Sequence, residues 1–350
     1  CLYFTGSLTI PSKIKSISYE AFGGCSGFDG ELKLHEDIEN IGDRSFYQCS
    51  NLKGSLTIPS KVTKIGYECF FNCSGFTGQL NLPSSLTSIG ERTFSYCANL
   101  VGDLNLPESL TSVGIEAFQH CSGIDGKLDL KCNVSSIKRS TFEGCVKMTG
   151  DLNLPDQITE IGDNAFRSCS NLNGNLHLPT KLKTIGSNSF LQCSNLKGDL
   201  NIPEEVESIG SQAFMSCSGF DGKIFIGSKV NEIGYGSFSL CSNLKGDLTL
   251  PNSLKTIPEQ AFSSIGCEGK LTLPSEVESI GSRAFQNSKF KETLDLPSTL
   301  KSINNSAFLN CQFTGELKLP TNLENIDRRA FSDCLYFTGS LTIPSKIKSI

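Results

Sequence analysis

The chain has 350 residues and a net charge of −5, with 33 Gly, 23 Phe, 16 Cys, 3 His and no Trp. With so few histidines the means for general acid–base chemistry are thin, and no basic stripe offers itself to a phosphate backbone, so nucleic-acid binding is not expected. Apolar runs are only a few residues long, well short of the roughly 18–20 needed to cross a bilayer, so no membrane insertion is expected within this segment.

The chain opens in mid-pattern at Cys1 with no starting Met, and cysteines then recur every 24 residues through Cys25, Cys49, Cys73 and Cys97 to Cys241, resuming at Cys311 and Cys334. Residues 193–216, CSNLKGDLNIPEEVESIGSQAFMS, typify one period. The alternation in G-D-L-N-I-P predicts a short strand with one buried face, which Pro203 ends because it has no N–H for a continuing ladder. Val206 and Ile209 predict a second inward-facing extended stretch, turned by Gly210. S-Q-A-F-M-S predicts one helical or 3₁₀ turn that points Ala213 and Phe214 inward, and Cys217 and Phe220 close the circuit. Phenylalanine is the strictest position: Phe22, Phe46, Phe70 and Phe94 begin a column that reaches Phe331 without a gap.

No single period can enclose so many buried residues, whereas stacked copies can wall one another in. The fold expected is therefore a leucine-rich-repeat solenoid, mostly β with short helical or 3₁₀ turns. It comprises about 14.7 coils of 23–24 residues in one continuous domain over 1–350.

The pattern L-x-[LI]-P-x-x-[LV]-x-x-I-G-x-x-A-F-x-x-C resembles the BspA-like leucine-rich repeats, also called the Treponema pallidum type. The phrases at 73–78 and 55–59, CSGFTG and SLTIP, are similar to BspA-like surface proteins of parasitic protists. The resemblance implies a curved solenoid displayed outside the cell or on its surface, among relatives that act as adhesins or surface antigens. It brings no catalytic residues, no cofactor and no metal.

Residues 334–350, CLYFTGSLTIPSKIKSI, repeat residues 1–17 without a mismatch, at a distance of 333 residues or fourteen coils. Residues 1–333 then read as one block of a longer tandem array. Neither Cys1 nor Ile350 lies in a polar cap, and an uncapped stack offers itself to further stacking. The function expected is a non-enzymatic structural protein, the unit of an extracellular or surface filament, with self-assembly head-to-tail or laterally. The alternative is an adhesin that binds host or matrix proteins through its concave face or an irregular patch.

Departures from the pattern mark candidate contacts. His35, Lys131 and Gly227 replace the strand-ending proline, and Phe225 stands on the outward side of its strand as a candidate exposed anchor. Around 258–315 the coils shorten by one residue. There Pro258 replaces a turn glycine, Ser264 or Ile265 and then Ser288 take the cysteine position, Cys267 fills a large apolar position and Glu292 replaces the loop glycine. These six form a candidate contact patch. The cysteine column is expected to be reduced and packed as small hydrophobes, with Cys69 in the same role. Cys132, after a strand end, is expected to be exposed and reactive. His120 beside Cys121 suggests a nucleophile and base only in sequence. Asn81, Asn105, Asn153 and Asn201 share a strand position from which they can hydrogen-bond along the stack. Asn133 and Asn304 begin glycosylation sequons.

Overall fold

The computed structural model describes residues 3–348, so Cys1 and Ile350 lie outside the described residues. They fall into two compact units, Cys1–Gly174 and Asn175–Ile350, each a parallel β-solenoid.

In the first unit the second strands of the coils, Ser16–Ile17, Asn40–Ile41, Lys64–Ile65, Ser88–Ile89 and Ser112–Val113, pair in parallel. Ile17 sits opposite Ile41, and Lys64 and Ile65 sit opposite Ser88 and Ile89. The first strands pair two coils at a time: Leu8–Thr9 with Leu32–Lys33, Leu56–Thr57 with Leu80–Asn81, and Leu104–Leu106 with Leu128–Leu130. Strands are only two or three residues long because a proline or a turn follows each.

The pairing by twos has a sequence counterpart. Coils of one kind carry Asn51 and Asn99, whose side-chain amides donate to the carbonyls of Ser26 and Ser74 at 2.7 and 2.8 Å. Coils of the other kind need glycine there: a Cβ on Gly75 would lie 2.5 Å from the Leu52 carbonyl, and one on Gly123 would lie 2.6 Å from that of Leu100. Over residues 25–124 the effective period is therefore two coils, or 48 residues; Asn171 and Asn195 later place two coils of the first kind in succession.

In the second unit, Thr184–Ile185, Ser208–Ile209 and Glu232–Ile233 form one ladder. Thr256–Ile257, Ser279–Ile280, Ser302–Ile303 and Asn325–Ile326 form another. Ile257 faces Ile280 and Ile280 faces Ile303 at a register of 23. The missing residue comes out of the loop after the cysteine position, and around Leu294 the first-strand ladder shrinks to the single bridge Thr293↔Thr314.

The expected helical turn is a different structure: no helix of any kind occurs among the described residues. Two residues of each turn, four apart, have left-handed φ, such as Glu68 at 48° and Asn72 at 54°, which interrupts any helix. The N–H groups of Glu68, Phe70 and Asn72 donate to Glu91, Thr93 and Ser95 of the next coil at 2.8–2.9 Å. Those of Phe71 and Cys73 close back within the coil onto Glu68 and Phe70. The segment is thus a third ladder between coils.

Candidate functional site

The interior is a set of columns. Phe46, Phe70, Phe94 and Phe118 are fully buried, and their rings stack on one another at 5.2–5.7 Å. Phe22 joins them at 5.5 Å from Phe46. In the second unit the spacings from Phe190 to Phe331 are 5.1–5.5 Å. A coil rise near the ~4.8 Å strand spacing obliges such rings to slide into the offset arrangement that aromatic pairs favour.

All fifteen described cysteines are free, and all but Cys334 are buried. From Cys49 on, column thiols answer a carbonyl of the coil before: Cys49 Sγ donates to Phe22 O at 3.0 Å, Cys73 to Phe46 O at 3.0 Å and Cys97 to Phe70 O at 3.1 Å. Burial pushes the Cys49 and Cys97 thiols up to about 12, which keeps them protonated and poorly nucleophilic. Cys121 bonds Phe94 O in the same way, while the His120 ring lies 4.9 Å from Tyr96.

Cys132 is a correction: it is buried, not exposed. Where proline or its substitutes His35 and Gly227 stand, the chain turns through a bond such as Leu110 N to Pro107 O, Ile38 N to His35 O or Val230 N to Gly227 O. At Lys131 that bond is missing, and Asn133 N instead donates to Leu110 O at 2.7 Å. The rerouted backbone turns the Cys132 side chain inward, and burial raises its pKa.

The irregular patch does not form one surface. Ile265, Cys267 and Ser288 are buried, with Ser288 Oγ 3.2 Å from Cys311 Sγ in the core. Pro258 and Ser264 are half-buried and only Glu292 is exposed. The three buried members cannot meet a partner.

Phe225 is 52% exposed. It lies in the strand Ile224–Ile226, opposite Asn201, and lines a 550 Å³ cleft with Glu204, Lys223, Asp247 and Asn252. Gly227 opens one wall: a Cβ there would come within 2.3 Å of the Pro203 carbonyl. Glu204 Oε2 accepts from Ser228 N and Oγ at 2.8 and 2.7 Å, and these bonds hold its carboxyl below the usual range. An aromatic face beside oriented polar groups is the composition of a small-ligand or side-chain cradle. Elsewhere on the strand face, Asn81 Nδ2 donates to Thr57 Oγ1 at 3.0 Å, the expected bond along the stack.

Two kinds of likeness bear on identity. The BspA type leucine rich repeat region (6 copies) matches residues 3–125, 126–245 and 231–350. The chain belongs to the BspA-type leucine-rich-repeat family. Among solved structures it is similar to a leucine-rich repeat protein from Bacteroides ovatus, at 26% identity and a TM-score of 0.77, over 95% of this chain and 85% of that one. It also shares its fold with a leucine rich cell surface protein from Faecalibacterium prausnitzii, at 22% identity and a TM-score of 0.54, over 96% and 88% of the two chains. No curated protein matches it.

One feature of this BspA-type chain escapes a reading that looks only for apolar columns. The first left-handed residue of successive turns in the first unit runs Glu20, Arg44, Glu68, Arg92, Glu116. Arg44 bridges Glu20 and Glu68, Arg92 bridges Glu68 and Glu116, and Arg139 adds a contact to Glu116 at 2.8 Å. The Glu68 and Glu116 side chains are only 10% and 7% exposed. The strict sign alternation at the coil period is visible in the sequence once the coils are aligned by their phenylalanines.

Proposed function

We propose that this chain is a non-enzymatic, surface-displayed structural solenoid and the unit of a tandem array that builds a filament. The observation that carries the reading is the seventeen-residue echo. What supports it structurally is that the two copies occur in complementary settings. Phe4 stacks on Phe28 of the following coil at 5.5 Å, whereas its counterpart Phe337 stacks on Phe313 of the preceding coil at 6.4 Å. Lys15 O accepts from Glu39 N of the following coil, and its counterpart Lys348 donates through its N–H to Glu324 O of the preceding one. The echo falls after fourteen coils, an even number, so the pairing of first strands by twos would keep its phase through it. The name of the Faecalibacterium relative supports a place at the cell surface.

Electron microscopy of the native protein tests this reading. Unbranched filaments, together with further 333-residue blocks in the full sequence, are expected; short particles at every concentration would sink it. A second reading, adhesion to host or matrix proteins, is favoured by the Phe225 cleft. Phe225→Ser then weakens partner binding and leaves filaments intact.

A further inference from the structure

In the first unit the arginines of the turn face are held between glutamates; in the second they are not. Arg283 and Arg329 take the same left-handed position as Arg44 and Arg92, and Arg328 precedes Arg329. All three are exposed, and none forms an ion pair among the described residues. They line one 340 Å³ cleft together with the side chains of Gln260, Gln286 and Asn305. The Asp327 carboxylate accepts the Arg328 backbone N–H at 2.7 Å.

We propose that this cleft binds an anionic saccharide, with the guanidinium groups on a sulfate or uronate group and the side-chain amides on sugar hydroxyls. The guanidinium forks of Arg283 and Arg328, which pair with no carboxylate among the described residues, present donors in the planar geometry that oxyanions accept. The amides around them supply both donors and acceptors, which suits hydroxyl-rich chains. The lining is almost wholly polar and offers no apolar pocket for a peptide anchor. The chain's charge of −5 makes general attraction to polyanions unfavourable, so binding has to come from a local site. The inference does not rest on the tandem array. In such an array the counterpart of Glu20 falls beside Arg329, so Arg283 and Arg328 are the members to vary.

The test is titration of the 350-residue chain with dextran sulfate, polygalacturonate and neutral dextran, followed by calorimetry. Binding to one or both charged polymers and none to neutral dextran is expected, and the stronger of the two identifies the anionic group. The double variant Arg283→Gln/Arg328→Gln loses about tenfold or more in affinity, as expected for two charge-assisted contacts, with its melting temperature unchanged. Lys181→Gln/Lys183→Gln, equal in charge and exposed elsewhere on the coil, keeps wild-type affinity. No binding to either charged polymer, equal binding to neutral dextran, an unaffected arginine variant or an equal loss in the lysine variant would each overturn the proposal.

Discussion

At the scale of single residues, the turn asks for backbone that most side chains avoid. Ser216, with φ at 62°, holds its place because its N–H reaches Ser239 O at 2.9 Å. Other coils place glycine in this conformation, at Gly24 and Gly144. Ser216→Gly is therefore expected to leave stability within about 1 kcal/mol, relief of strain opposing the extra freedom of the unfolded chain. Ser216→Val, branched at Cβ, should cost about 2 kcal/mol in urea unfolding. This conformation was not legible beforehand. The two left-handed positions are filled by Glu, Arg, Asn, Gln, Ser and others, and only glycine announces positive φ by itself. The buried columns were legible, because Phe recurs without a gap and Cys recurs at a fixed interval over most of the chain. Cys132 was misread for a local reason: the proline position decides where the next residue points, and its loss at Lys131 reroutes the backbone.

At the scale of elements, the alternating charges of the first unit stabilise a register as well as a turn. A slip of one coil would set Glu against Glu and Arg against Arg, and like charges at coil spacing repel. Arg92→Gln leaves two nearly buried carboxylates short of a partner and is expected to cost about 2 kcal/mol, less than a fully buried pair because Arg44 and Arg139 remain. Adding Glu68→Gln and Glu116→Gln to that variant should recover most of the loss in the same unfolding measurement. Lys61→Gln, whose bridge to Asp37 is open to solvent, should leave the unfolding transition almost unmoved. The strands themselves were legible from L-x-[LI]-P and from the inward Val and Ile. Their pairing by twos is only partly written in the sequence: S-N-L-like and S-G-F-like segments alternate from residue 25 to residue 124, but S-N-L follows S-N-L at 170–172 and 194–196 while the strands still pair by twos.

For the molecule as a whole, the thiols tie stability to pH. Burial raises Cys49, Cys97, Cys145, Cys241 and Cys267 to about 12, and Cys73, Cys121 and Cys217 well above the ordinary value. Below about pH 8.5 folded and unfolded chains both keep these protons, and the thiols' contribution is fully present. As pH climbs toward 12 only the unfolded chain releases them, so stability falls by up to about 1.4 kcal/mol per thiol per pH unit. Melting followed by circular dichroism between about pH 8 and 11 should show a steep decline. Replacing several column cysteines by alanine should flatten that decline; an unchanged slope would remove the thiols as its cause.

The third ladder has a consequence for how the molecule breathes. Along one turn, the amides of Glu68, Phe70 and Asn72 cross to the next coil, and those of Phe71 and Cys73 stay within their own. Adjacent amides therefore report on two separate motions. Parting of neighbouring coils frees Phe70 to exchange its proton for deuterium while Phe71 remains closed; melting of the coil frees both. A residue-by-residue exchange record across 68–73 would accordingly alternate, with the ratio of neighbouring rates measuring how often the stack gaps without unwinding.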